Sequence, residues 1–256
     1  HHDVTEPITL DVDRIWHLAC PASPIHYQFN PIKTAKTNFI GTYNMLELAR
    51  RVGARILFAS TSEVYGNPEI HPQPENYNGN VNPIGIRSCY NEGKRVAESL
   101  CYDYVRMHHI DIRIARIFNT YGPRMLLSDG RLISNLLVQS INGEDLTIYG
   151  NGNQTRSFCF IDDLIDGLIL FMNSSSLGPM NFGNPEELSV LEIANLIRSD
   201  SIRKVNLKFL NELEDDPYRR KPSIDFARKE LNWQPKIIFK EGLKITREYF
   251  REKLNL

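Results

Sequence analysis

Apolar positions along the chain recur in two rhythms. Short, densely apolar runs at 14–19, 55–59, 111–117, 156–161 and 180–183 read as strands buried in a sheet. Between them the apolar residues spread to helical spacing. Asn30 followed by Pro31 reads as an N-cap with proline at N1, opening a long helix to Arg51 whose positions Ile32, Phe39, Met45, Leu46 and Ala49 share one buried side. A second long helix carries Tyr90, Val96, Leu100, Tyr104 and Val105 to His108 and His109. A third begins at Arg131 and ends near Asn142 and Gly143, and a fourth, capped by Asp162, runs to Met172. Strands alternating with helices of this length predict an α/β fold. Beyond residue 185 come a helix at 189–198, a strand at 205–209, and helices at 224–231 and 240–254 parted by Trp233-Gln234-Pro235, which read as a smaller lobe. The proline- and asparagine-rich stretch 67–83 predicts a surface loop.

Composition narrows the function classes. With 256 residues, 41% of them hydrophobic, the chain can bury a sizeable core. A net charge of -1 argues against nucleic acid or a membrane surface as the main partner and leaves an anionic small substrate open. Cys20, Cys89, Cys101 and Cys159 have neither metal spacing nor a disulfide framework, so they read as reduced thiols in a reducing compartment. No run of 18 apolar residues suggests a membrane segment. The adjacent His108 and His109 point to different helix faces and have no third ligand nearby, so no metal site is expected. His17 reads as a core histidine.

The chemistry concentrates in two stretches. Tyr90 and Lys94, in Ser88-Cys89-Tyr90-Asn91-Glu92-Gly93-Lys94, stand one helical turn apart. An ammonium beside a phenol favours the phenolate, which suits proton exchange with a substrate hydroxyl. The run 55–59 leads into Ser60-Thr61-Ser62-Glu63-Val64-Tyr65-Gly66, a crowd of hydroxyls and a carboxylate at a strand end, where ligands of open α/β sheets sit. With Arg116-Ile117-Phe118-Asn119-Thr120-Tyr121-Gly122-Pro123-Arg124, these motifs resemble the extended short-chain dehydrogenase/reductase family of nucleotide-sugar enzymes, and within it most nearly the UDP-glucuronate decarboxylases. The resemblance spans essentially the whole chain.

That resemblance implies a Rossmann-like, doubly wound parallel sheet with a smaller C-terminal α/β substrate lobe. Residues 1–185 would form the NAD-binding domain and 186–256 the substrate lobe, with 125–156 contributing to the latter. A glycine-rich pyrophosphate turn is not found ahead of the first strand, so the expected fold is N-terminally truncated by two βα units, on the order of 60 residues. In the family, Asp3, Val4, Leu18, Cys20, Thr37, Ala59 and Thr120 correspond to cofactor positions, together with Tyr90 and Lys94. Lys36, Asn119, Arg131, Tyr149, Gln154, Arg156 and Arg220 correspond to positions that hold a UDP-sugar, the arginines through the oxyanion-matching fork of their guanidinium groups.

The implied reaction oxidises the sugar 4-hydroxyl through Tyr90, Lys94 and Thr61 with NAD as cofactor, loses CO2 from the 4-keto glucuronate and returns the hydride. Ser62 and Glu63 would orient the sugar and manage protonation at C5. Ser62 stands where 4,6-dehydratases carry aspartate, and a neutral hydroxyl does not repel a substrate carboxylate. A nucleotide-sugar 4-epimerase, a 4,6-dehydratase or a catalytically silent fragment are the alternatives. A cytoplasmic homodimer is the expected setting.

Overall fold

The computed structural model describes residues 1–255. It begins with strand β1 (Arg14–His17), whose residues alternate between solvent and core, then the short helix α1 (Pro24–Tyr27). Helix α2 (Pro31–Lys36) starts as expected, with the Asn30 side chain accepting from the Lys33 amide and Pro31 at the first turn. A π turn at Thr37–Gly41 separates it from α3 (Thr42–Val52). That turn corrects the expected helix face. Met45, Leu46 and Ala49 are buried, but Ile32 and Phe39 are 70% and 47% exposed. The extra residue in a π turn rotates the following face by about 100°, so one stripe cannot run through both halves.

Strand β2 (Arg55–Thr61) enters a 3-10 turn at Ser62–Tyr65. Gly66 ends it at φ +64, where a Cβ would strike the Asn80 backbone. The loop over 67–83 follows, held by Arg95, which donates to the carbonyls of Val64 and Asn78. Then come α4 (Ser88–His108), β3 (Ile112–Ile117) and β4 (Thr120–Tyr121). Next are α5 (Leu132–Asn142) and β5 (Leu146–Tyr149).

The strand expected at 156–161 is two, β6 (Thr155–Ser157) and β7 (Cys159–Phe160), which pair in different sheets. Helix α6 (Ile161–Asn173) starts directly after β7, with Phe160 at its N-cap. Asp162 is therefore in the first turn and not the cap. Asp163 beside it uses its carboxylate to accept from the Ile237 amide, anchoring the C-terminal segment. Strands β8 (Met180–Phe182) and β9 (Glu187–Ser189) lead to α7 (Val190–Ser199), which opens with a capping box between Ser189 and Glu192. Strands β10 (Leu207–Leu210) and β11 (Arg219–Arg220) and helices α8 (Asp225–Leu231) and α9 (Phe239–Lys253) complete the fold.

The main sheet is parallel, in the order β1-β2-β3-β8, with Thr61 opposite Ile117 at its carboxyl end. Helices cover both faces, which is why β2 and β3 are buried over most of their length. Leu46, Ala49, Ile56, Phe58, Ala97, Cys101, Ile112 and Ile114 join α3 and α4 to one face. Leu57, Ala115, Leu164, Leu168, Phe171 and Trp233 join α6 and the segment after α8 to the other. This is the α/β Rossmann-like arrangement. A second core holds Leu136, Ile148, Ile193, Phe239 and Phe250 from α5, β5, α7 and α9. No helix among the described residues is long and apolar enough to cross a membrane.

Candidate active site

A cavity of about 1510 Å³ opens beyond the carboxyl ends of β2 and β3, between the main sheet and the second core. Tyr90 and Lys94, on the first two turns of α4, line it and are buried. Lys94 Nζ donates to the Ala59 carbonyl at 2.8 Å and lies 4.8 Å over the Phe58 ring and 5.9 Å from the centre of the Tyr90 ring. Burial opposes the expected phenolate. Burial pushes the Tyr90 phenol up, and the hydroxyl of Thr61 only partly opposes it. Burial likewise lowers the Lys94 ammonium. In a pocket of low dielectric, desolvation is the largest influence on each of the two groups.

Thr61, Ser62 and Glu63 line the same cavity. Thr61 Oγ1 accepts from the Glu63 amide at 3.2 Å and so starts the turn that aims them. Behind them, Glu98 accepts from Ser60 Oγ and takes both Arg116 Nε (3.0 Å) and Nη2 (2.7 Å), which fixes the end of β2 against β3 and α4. Glu63 Oε1 accepts from Arg220 Nη1 at 2.6 Å and from Arg87 Nη2 at 2.7 Å. Burial works against its ionisation, but Arg220 and Arg87, with Arg156 further off, overcome this and hold the carboxyl at about 2. Glu63 is thus suited to accept hydrogen bonds and not to deliver a proton at C5.

Of the expected substrate positions, Asn119, Arg131, Tyr149, Gln154, Arg156 and Arg220 all line the cavity. Arg131 is bidentate to Asp129, and Arg156 reaches Asp216. Lys36 is exposed on α2, outside the cavity walls. Arg87 and Asp216 also belong to the site, joined at 2.9 Å, and the sequence reading did not include them. The available signal for Arg87 was its place three residues before Tyr90, where a helix N-terminus projects a side chain toward the same strand ends.

The expected cofactor positions divide between two spaces. Leu18, Ala59 and Thr120 line the main cavity, while Asp3, Val4 and Thr37 line a second one of about 510 Å³. Cys20 lines both, so they meet at its side chain. Next to it Asn38 is buried against Gly93 of α4, outside the walls of both cavities. Asp3 pairs with Lys33 at 3.2 Å. His17 is a core residue, 3.0 Å from Thr42 Oγ1 and held neutral by burial.

The GDP-mannose 4,6 dehydratase family matches residues 8–246. UDP-glucuronic acid decarboxylase 3 of Arabidopsis thaliana is 58% identical over 255 residues, covering all of this chain and 75% of the relative. The chain belongs to the UDP-glucuronic acid decarboxylase family. UDP-glucuronic acid decarboxylase 1 of Xenopus tropicalis is 55% identical, over 99% of this chain and 60% of its own length. Among solved structures, UDP-glucuronic acid 4-epimerase from Bacillus cereus, in complex with UDP-glucuronic acid and NAD, superposes with a TM-score of 0.86 at 27% identity. The match covers 95% of this chain and 76% of the epimerase. For this decarboxylase family member, the likeness extends to an enzyme that shares the Rossmann-like frame and differs in reaction.

Proposed function

We propose that this chain is an NAD-dependent decarboxylase that converts UDP-glucuronate to UDP-xylose through a 4-keto sugar. The observation that carries the reading is Ser62 beside an ionised Glu63 in a cavity lined by Tyr90 and Lys94, in a chain 58% identical to a UDP-glucuronic acid decarboxylase. The two cavities, which share Cys20 in their walls, fit a dinucleotide. Asp3, Val4, Thr37, Cys20, Leu18 and Thr120 are the residues that would hold it. Bound there, NAD would supply the acceptor, and afterwards the donor, of the hydride at C4 of the sugar.

The chain's own groups handle protons and charge. Tyr90 Oη first loses its own proton to solvent, which the Lys94 ammonium beside it favours, and as phenolate takes the proton of the 4-hydroxyl, with Thr61 Oγ1 as hydrogen-bond partner to the developing oxygen charge. Lys94, tied to Ala59, keeps a positive charge near the phenol as that proton moves. Glu63 accepts from the sugar hydroxyls. Ser62 offers a neutral donor beside the departing carboxylate, whose loss leaves electrons that the 4-ketone takes up as an enolate until a solvent proton reaches C5. Arg87, Arg156 and Arg220 outnumber the carboxylates of Glu63 and Asp216, which leaves the cavity wall net positive toward an anionic UDP-sugar.

The domain reading is that 1–185 binds NAD while 186–256, with 125–156, forms the substrate lobe; the second core, built from α5, β5, α7 and α9, supports it. A homodimer through α3 and α4 fits the exposed Phe39, Tyr43 and Val96, and the cytoplasm fits the four free cysteines. The test of function is incubation with UDP-glucuronate and NAD followed by mass spectrometry. CO2 and UDP-xylose are expected; a new sugar nucleotide of unchanged mass but different chromatographic retention would mean an epimerase, and a dehydrated one a dehydratase.

A further inference from the structure

Arg87 sits at the N-cap of α4 with its side chain about nine-tenths buried. Its two terminal nitrogens reach different acids, Nη2 to Glu63 Oε1 at 2.7 Å and Nη1 to Asp216 Oδ1 at 2.9 Å. The same Oε1 receives Arg220 Nη1 at 2.6 Å. Both charge-assisted bonds therefore fall on one oxygen of Glu63. Among the described residues no protein group donates to Oε2, and it is not sealed from the cavity that Glu63 lines. Two guanidinium groups on one oxygen fix the rotation of the carboxylate and leave the other oxygen facing the space for the sugar.

We propose that Arg87 is a positioning residue for the reaction: it clamps Glu63 as a carboxylate with Oε2 turned to the substrate. The clamp is a property of the folded protein, and only its kinetic consequence rests on the decarboxylase reading. The charged and titratable groups facing Glu63 are Arg220 from β11, Arg156 from β6, Arg87 and Tyr90 from the start of α4, and Tyr27 from α1. Asp216 lies across Arg87 from Glu63 and balances the guanidinium. With Arg87 gone, Arg220 alone holds Oε1, the carboxylate can rotate, and its pKa climbs toward the ordinary value.

The test is the 13C titration of the Glu63 side-chain carboxyl in the ligand-free protein, assigned by difference with E63Q. In the wild type Glu63 stays ionised to the lowest pH at which the protein is folded. In R87Q its midpoint should rise by about 1–2 pH units. R87K, which keeps the charge but not the fork, should lie between and carries the test if R87Q does not fold. D216N leaves Arg87 charged and should not raise the midpoint. With UDP-glucuronate, the acid limb of kcat/KM, which reports the free enzyme, should move upward in R87Q in the same direction as the NMR midpoint. An unmoved midpoint in R87Q and R87K, or an equal rise in D216N, overturns the proposal. A wild-type protein that releases no CO2 from UDP-glucuronate overturns the decarboxylase reading instead, while the titration still judges the clamp.

Discussion

Tyr27 and Tyr90 stack face to face, with ring centroids 4.9 Å apart and planes within 4° of parallel. The backbone carbonyl of Tyr27 accepts from Thr34 Oγ1 at 2.9 Å, so the ring is held from α2 as well as by its own short helix. One tyrosine thereby sets the attitude of the other. Y27L, which removes the flat face, should lower kcat about ten- to a hundredfold through misorientation of Tyr90. Y27F keeps the stack and should retain kcat. Steady-state kinetics on the two variants checks this, and equal loss in both would assign the effect to the hydroxyl.

Tyr90 itself should be indispensable to turnover but not to binding. Y90F is expected to lower kcat by about 10²–10⁴-fold, the usual worth of a positioned acid or base. Calorimetric titration with UDP-glucuronate should still report binding. Loss of binding with kcat intact would remove Tyr90 from the proton transfer.

Ser62 separates decarboxylation from its relatives. S62D sets a second carboxylate next to Glu63 and opposite the substrate carboxylate, and like charges there cost several kcal/mol. CO2 release should fall by at least about tenfold, whereas S62A, which adds no charge, should fall less. Radiolabelled CO2 from UDP-glucuronate is the readout.

The Glu63 clamp also makes stability depend on pH. Its carboxyl is held at about 2 against an ordinary value of 4.5. A depressed folded-state pKa contributes stability that is present above the unfolded value and is lost as pH falls through the window from 4.5 to 2. Thermal melts of wild type and E63Q should therefore differ most above pH 4.5 in this sense: the wild type loses Tm on acidification through that window, and E63Q has a flatter acid limb. Parallel acid limbs would contradict the clamp.

Glu98 is the support behind the site. It carries both Arg116 bonds and the Ser60 hydroxyl, with Glu98 and Arg116 side chains each only about a tenth exposed. E98A strands the Arg116 charge and should cost about 3–5 kcal/mol in urea unfolding. E98Q keeps the shape and an acceptor for Ser60, so it should cost less. A neutral E98A would mean that Arg116 finds full compensation in its bonds to Tyr65 Oη and the Glu75 carbonyl.

Sequence alone determined what is local. Helix and strand order follows from apolar spacing, the Asn30 cap from its amide and the proline after it, and the Tyr90–Lys94 pairing from one helical turn. Family motifs named most of the cavity wall, because they sit at the strand ends that this fold brings together. Tertiary structure decided the rest. Arg87 and Arg220 reach one oxygen of Glu63 from 24 and 157 residues away, and no periodicity carries that information. The π turn at Thr37–Gly41 turned Ile32 and Phe39 outward while the pattern had put them inside. Lys36 followed them to the surface. The setting of the Tyr90 phenol lay beyond the motif too: a lysine four residues on favours a phenolate, but desolvation depends on everything packed around the ring, and here it pushes the phenol up.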